Sequence, residues 1–296
     1  MTQFQKTENK KNNNPQGRDF CEMQRVIVSL TSIPKRLHYV QEGIRNMCRD
    51  QTRLPTHVRL YLPPTFLRSD ETYEVPESLF ELQKAYPSFR IVEVPEDVGP
   101  ATKMIYALQE FTDSTDVIIS IDDDIGYHER FVEELLDAHA AKPDSLLGFM
   151  GTDPPRNPFV HAEFLQYRVG VSPGTPRAFY QVQTLGGYRG ILYPRSLIPP
   201  DFFDLFDQLN TLTQQECKSA VREDDNFIGS YCTYRHIPMH VCGTFFPGNM
   251  FAQGFLEKLN FKFLDGSKID PLASLTSKTW EVQTTFFANL NKNPKT

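Results

Sequence analysis

Between Arg25 and Ala141 short runs of consecutive apolar residues alternate with stretches in which apolar residues recur every three or four positions. The first kind reads as buried strand and the second as one-sided helix. Arg25-Val26-Ile27-Val28-Ser29-Leu30-Thr31 is rich in β-branched residues and predicts a strand. Leu37, Val40, Ile44 and Met47 follow at helical spacing. Val58 to Leu62 predicts a second strand, closed by Pro63 and Pro64, with a helical pattern over residues 77–86. Phe89 to Val94 predicts a third strand. Pro100 suits the first turn of a helix carrying Met104, Ala107, Leu108 and Phe111 on one face. Asp116 to Ile121 is the most apolar strand candidate, and Phe131, Val132, Leu135 and Leu136 mark the helix after it. Strands alternating with helices imply an α/β fold built of βα units around a mostly parallel sheet. Ligands of such sheets bind beyond the carboxyl ends of the strands. That directs attention to Thr31–Arg36, Asp97–Lys103 and Asp122–Asp124.

The pattern changes after this point. Residues 150–180 are rich in Pro, Gly and aromatics, which predicts long loops. Gln181 to Tyr193 reads as strands around Gly186-Gly187. Phe202, Phe203, Phe206 and Leu209 suit a helix, and Glu223-Asp224-Asp225 stands before another that bears Phe227, Ile228 and Tyr231. From about Asn249 the sequence mixes Phe-rich pieces with polar turns and predicts no clear element. Residues 1–23 are polar throughout and predict a mobile tail. No internal repeat is present.

Composition narrows the class. At 40 % hydrophobic residues the chain is too apolar for wholesale disorder. No run approaches the roughly 18–20 apolar residues of a membrane-spanning helix, and the N-terminus has no apolar signal region. A cytoplasmic protein is therefore expected. The balance of 31 basic and 37 acidic residues, a net −6, argues against a general nucleic-acid binder. A phosphate-bearing partner would need local help, such as a metal ion. Cys21, Cys48, Cys217, Cys232 and Cys242 form no CxxC pair and predict thiols in a reducing compartment.

Asp122-Asp123-Asp124 follows a strand expected to be buried. Adjacent carboxylates repel, so the triplet is costly unless a cation compensates. In an extended chain Asp122 and Asp124 point to one side and can share a target. Hard oxygen ligands without nearby cysteine favour Mg²⁺ or Mn²⁺. The alternative is a solvated acidic turn capping the next helix. An EF-hand loop starting at Asp122 is opposed by Tyr127, where that loop requires glycine. On the phosphate side, Gly99 permits close backbone approach and Pro100 starts a helix. The N-terminus of that helix favours an anion, and Lys103 adds a charge within its first turn. An ordinary strand–helix turn is the plain alternative.

Taken in order, these pieces resemble nucleotide-sugar-dependent glycosyltransferases of the GT-A fold. The carrying residues are Val26 to Pro34 with Arg36, then Asp97-Val98-Gly99-Pro100-Ala101-Thr102-Lys103, Asp122-Asp123-Asp124, Gly186-Gly187 and Glu223-Asp224-Asp225. They cover roughly residues 25–250 and most resemble bacterial and viral polysaccharide-type transferases with a similar GPATK segment. The resemblance implies a Rossmann-like, mostly parallel central sheet flanked by helices. It implies a nucleotide-sugar-binding half over residues 24–148, an acceptor-binding half of the same domain over 149–250, and a C-terminal extension over 251–296. Thr31, Ser32, Ile33 and Arg36 would line the nucleotide pocket. Asp97 would read the base, usually uracil, with Gly99, Pro100 and Lys103 near the diphosphate.

The resemblance also implies a metal site and a base. Asp122-Asp123-Asp124 matches the DxD motif, with Asp124 the foremost ligand of Mn²⁺ or Mg²⁺, Asp122 beside it, and a late histidine, His240 before His236, completing the set. Asp224, or else Asp225, would be the carboxylate that deprotonates the acceptor hydroxyl, and helix capping is the plain alternative for both. Gly186 and Gly187 would bring backbone close to the donor sugar and acceptor. The aromatics Phe159, Phe164, Tyr167, Phe179 and Tyr180 are candidates to stack on sugars. The partners the resemblance implies are a nucleotide-diphosphate sugar, usually a UDP-sugar in this group, and a glycan acceptor, with inversion at the anomeric carbon. A non-catalytic sugar-nucleotide or glycan binder and a metal-dependent phosphohydrolase are the competing readings.

Overall fold

The computed structural model describes residues 24–67, 69, 71–153, 157–161, 177–217, 224–243 and 285–290. The polar tail over 1–23 and nearly all of the 251–296 extension lie outside these, as do Phe164, Tyr167 and Glu223. Phe159 is described in its backbone alone.

The first half follows its hydrophobic pattern. Strand β1 (Val26–Thr31) leads through a short 3₁₀ turn (Pro34–Arg36) to helix α1 (Val40–Arg49). Strand β2 (His57–Leu62), helix α2 (Glu77–Ala85) and strand β3 (Phe89–Glu93) follow. A 3₁₀ turn (Gly99–Ala101) then runs straight into helix α3 (Thr102–Glu110). Strand β4 (Val117–Ser120) and helix α4 (Phe131–Ala141) end this part. β1 pairs in parallel with β2 on one side and β4 on the other, so Val28 stands between Val58 and Ile119. β3 extends the parallel set beyond β2. Ile27, Val28, Leu30, Ile118 and Ile119 are fully buried. Both faces of these strands are covered, which is why they read as continuous apolar runs rather than alternating ones.

The second half completes the same sheet instead of forming its own. Strand β5 (Leu146–Gly148) precedes β6 (Met150–Asp153), β7 (Asn157–His161), β8 (Phe179–Gln181), β9 (Thr184–Leu185) and β10 (Ile191–Pro194). Helices α5 (Asp201–Cys217) and α6 (Asp224–Arg235) and strand β11 (Met239–Cys242) follow. The main sheet has the order β3-β2-β1-β4-β10-β5-β11-β8. β10 enters antiparallel between β4 and β5, β11 runs parallel to β5, and β8 closes the edge antiparallel. A small sheet, β7-β6-β9, stands apart and is antiparallel throughout. The architecture is thus mixed α/β with a mostly parallel central sheet flanked by helices, as expected.

Two anchorages fix the carboxyl edge of the sheet and the start of α6. Arg25 donates two hydrogen bonds to Asp116 (2.7 and 2.6 Å), fixing the start of β1 against the entry to β4. Phe202 and Phe206 of α5 pack on Phe227 of α6, and Phe227 and Tyr231 in turn touch Phe287 of the helix over 285–290. Each such ring buries apolar surface of about 1.5–3 kcal/mol, so the start of α6, where Asp224 and Asp225 sit, is held by a dense aromatic cluster. Cys48, Cys232 and Cys242 are free, buried thiols. No helix among the described residues is long and apolar enough to cross a membrane.

Candidate functional site

The turns that leave β1, β3 and β4 meet at the carboxyl edge of the parallel strands. Thr31 closes β1 by donating from its hydroxyl to the Tyr61 carbonyl (2.8 Å), and so faces β2. Ser32 is buried, and its hydroxyl donates to Asp123 Oδ2 (2.5 Å). Ile33 caps the turn that carries Arg36, whose amide donates to the Ile33 carbonyl (2.9 Å). The Arg36 guanidinium then forks across the triplet, reaching Asp123 Oδ1 at 3.0 Å and Asp124 Oδ2 at 2.5 Å.

The triplet alternates as its sequence predicts, but its outer members have different partners. The Asp123 side chain is 4 % exposed and those of Asp122 and Asp124 are each 30 % exposed. Asp124 pairs with Arg36, whereas Asp122 Oδ1 pairs with Lys103 Nζ at 2.5 Å. Burial pushes the Asp123 carboxyl up to about 6 against the opposing pull of Arg36 and the Ser32 hydroxyl. The remaining oxygens, Oδ2 of Asp122 and Oδ1 of Asp124, have no partner among the described residues.

Asp97 and the GPATK segment serve each other. Asp97 Oδ1 accepts the Gly99 amide (2.8 Å) and its Oδ2 accepts the Leu67 amide (2.9 Å), so the carboxylate ties its own turn to the segment after β2. Gly99 has φ +71°, which only glycine adopts without strain. Pro100 occupies the first turn, where its missing N–H costs nothing. Lys103 lies in the first turn of α3 and is 4 % exposed. It does not face open solvent as a phosphate-seeking lysine would. Its ammonium lies between Asp122 (2.5 Å) and Asp224 Oδ2 (3.6 Å). Burial alone would lower its proton affinity. The negative charges of Asp122, Asp224 and Asp225 outweigh that and hold it well above the ordinary lysine value.

Asp224 and Asp225 open α6 and divide their contacts. Asp224, 8 % exposed, meets Lys103. Asp225 Oδ2 accepts the Gly187 amide (2.9 Å). A Cβ on residue 187 would lie 2.6 Å from Asp225 Oδ1, so glycine is required there for the carboxylate to come so close. Burial pushes the Asp225 carboxyl up to about 8, and the charge of Asp224 adds to this. Asp225 is nonetheless not sealed, because both aspartates line a cavity of about 310 Å³ together with Met150, Thr184, Gly186 and Tyr188.

Tyr127, which no sequence motif marked as functional, joins the two halves. Its buried hydroxyl accepts the Asp122 amide (3.0 Å) and donates to the Tyr188 carbonyl (3.1 Å). The signal for it was present only as a non-glycine at a position that argued against a calcium loop.

His240 is not brought to the triplet. It stands on β11 with its ring edge to Phe179 (centroids 6.3 Å apart). Burial, with the charge of Lys142 adding to it, pushes its imidazole down to about 4. His236 sits in a left-handed turn after α6 (φ +56°). Among the described residues no three His, Cys, Asp or Glu side chains converge as a metal cage. The reason is topological: β11 lies on the far side of β10 and β5 from β4. Phe179 and Tyr180 belong to the edge strand β8, and Tyr180 donates to Asp153 Oδ2 (3.3 Å).

A divalent ion nevertheless fits the donors that remain. They are hard carboxylate oxygens on two partly exposed side chains, and the surrounding charge is five carboxylates against Lys103 and Arg36. Mg²⁺ and Mn²⁺ are commonly held by one or two carboxylates plus water and substrate phosphate, without a full protein cage.

No protein-family model matches the chain. No curated protein matches it either. Among solved structures it is similar to S. aureus TarS 1–349, at 10 % sequence identity and a TM-score of 0.47. The match covers 80 % of this chain and 62 % of that one.

Proposed function

We propose that the protein is a metal-dependent glycosyltransferase that moves a sugar from a nucleotide diphosphate, UDP foremost, to a hydroxyl of a glycan. The observation that carries this reading is Lys103. One buried ammonium bridges a carboxylate of the triplet and a carboxylate of the cavity, so a diphosphate held at the first and an acceptor hydroxyl at the second would adjoin across a single side chain. A binding protein has no need of the second carboxylate.

Asp122 and Asp124 would hold Mn²⁺ or Mg²⁺, which when bound neutralises a diphosphate and stabilises it as a leaving group. The chain's own residues supply the rest. Arg36 and buried Ser32 fix the triplet, and the positive end of α3 would favour the phosphates. Asp225, its carboxyl raised to about 8, holds a proton near neutral pH and binds the Gly187 amide. That leaves Asp224 as the base. The acceptor oxygen attacks the anomeric carbon, the bond to the diphosphate oxygen breaks, and the acceptor proton passes to the Asp224 carboxylate. Attack from the face opposite the leaving group inverts the anomeric carbon.

Asp224→Asn tests the assignment. It should reduce transfer by at least about 100-fold while UDP-sugar affinity in Mn²⁺, read by calorimetry, stays within about twofold. Undiminished turnover would remove Asp224 as the base. Incubating UDP-sugars with Mn²⁺, with and without acceptor glycans, separates the classes: a new glycosidic bond is expected, and free sugar phosphate alone would mark a phosphohydrolase.

A further inference from the structure

The segment between β2 and α2 carries no recognised motif, yet it is tied to the site at two points. The Leu67 amide donates to Asp97 (2.9 Å), and the Tyr73 hydroxyl donates to the Ser32 carbonyl (3.0 Å). Between these ties the chain folds back on itself: Thr65 bridges Thr72, and the Phe66 amide donates to the Glu71 carbonyl (2.8 Å). Tyr73 is thereby carried to the carboxyl edge of the sheet. It is partly exposed and packs against the core. The charged groups that act on it are Asp97, Asp123 and Arg36, which belong to the turns after β3, β4 and β1. A phenol bonded to backbone at its tip and packed against the core is held in place, and its partly exposed ring lies among those three turns.

We propose that Tyr73 is the platform on which the base of a nucleoside diphosphate stacks, with the phosphates extending toward Asp122 and Asp124. The inference rests on the glycosyltransferase reading and assigns the base-binding part of its donor site. Stacking suits a base because every base has a π-face. Asp97 stands beside the platform with each oxygen accepting one backbone amide, and a carboxylate has further lone pairs that can accept from a base N–H. The segment after β2 thus gives the donor site an aromatic wall that the turns of β1, β3 and β4 lack.

The test is calorimetric titration of UDP and of inorganic pyrophosphate, each with Mn²⁺, into wild type, Tyr73→Ala and Tyr73→Phe. Tyr73→Ala should weaken UDP about tenfold or more and change pyrophosphate by no more than about twofold, because pyrophosphate has no base to stack. Tyr73→Phe keeps the face and should bind UDP within about threefold of wild type. Unchanged UDP binding by Tyr73→Ala overturns the assignment, and so does an equal loss of both ligands, which would make the residue a structural strut. A Tyr73→Phe loss as large as that of Tyr73→Ala would credit the hydroxyl and overturn the platform. Wild type binding pyrophosphate as tightly as UDP also overturns it. If wild type binds neither ligand, the glycosyltransferase reading itself fails.

Discussion

Lys103→Met isolates the electrostatic centre of the site, since methionine keeps much of the apolar stem and removes the charge. The Lys103 side chain is 5 % exposed, and its partners Asp122 and Asp224 are 30 % and 11 % exposed. Stripping one partner from a fully buried pair costs about 3–5 kcal/mol. Asp122 keeps part of its hydration, so its share falls toward the roughly 1 kcal/mol or less of an exposed pair. Asp224 is drier but more distant. A net loss of about 3 kcal/mol is expected, which for a chain of this size lowers the melting temperature by roughly 6–12 °C. Urea unfolding followed by circular dichroism measures it.

The pH dependence has a definite sign. Lys103 is held well above the ordinary lysine value, so its contribution is fully present below about pH 10 and is lost only as pH rises through the elevated value. Wild type therefore keeps the pair intact across neutral pH. Salt should rescue little, because a buried charge is poorly screened. Adding Asp122→Asn to the variant should recover about 1–2 kcal/mol through loss of the uncompensated charge. A Lys103→Met protein within about 1 kcal/mol of wild type, or one whose deficit vanishes in high salt, would refute the picture of a buried bridge.

Two further substitutions read the other side of the bridge. In wild type the Asp225 carboxyl is raised to about 8, so the folded state holds a proton that the unfolded chain releases near 4, and stability falls as pH rises between those values. Asp225→Asn, whose side-chain oxygen can still accept the Gly187 amide, should remove that slope; differential scanning calorimetry from about pH 5 to 8 checks it, and parallel curves for the two proteins would contradict it. Gly187→Ala places a Cβ 2.6 Å from Asp225 Oδ1 and should cost about 1–3 kcal/mol together with a fall in transfer, whereas Gly186→Ala, whose Cβ meets Met150 side-chain atoms no closer than 3.6 Å, should be nearly silent in stability.

The parallel half of the fold was legible because its physics is local. A strand buried on both faces, such as Val26–Thr31, must be apolar at every position, and a helix that covers it must repeat every three or four residues. β5 and β11 gave no comparable signal. Leu146–Gly148 is three residues long and Met239–Cys242 four, too short for a period to show, and each gains its identity from the neighbour it pairs with. The insertion of β10 beside β4 is a long-range choice that no local pattern states. The site divides in the same way. Residue types announced Asp122–Asp124 and Asp224-Asp225, but not that Lys103 would turn inward to join them. Tyr73 and Tyr127 act through hydroxyls on backbone groups 41 and five positions away in sequence, and a lone tyrosine carries no mark of that in its surroundings. The histidine was misplaced because strand order, which sets β11 apart from β4, cannot be read from residue types.

On the proposed reading, charge explains how a chain of net −6 would hold a diphosphate. Counting formal charges, five carboxylates face two cations at this edge. The raised value of Asp225 reduces that excess near neutral pH, because burial makes it retain its proton, while Asp123, raised only to about 6, stays largely ionised there. What remains is Asp122, Asp123, Asp124 and Asp224 against Lys103 and Arg36, an imbalance near two charges instead of three. Such a site would still repel a bare diphosphate, but it does not demand a highly charged counter-ion for its own stability. A single divalent cation at the open oxygens of Asp122 and Asp124 would bring it close to neutral. On this reading the protein is built to bind ion and diphosphate together and neither tightly alone, so UDP affinity should fall steeply when Mn²⁺ is withheld. Equal UDP affinity with and without the ion would show that Arg36, Lys103 and the first turn of α3 suffice on their own.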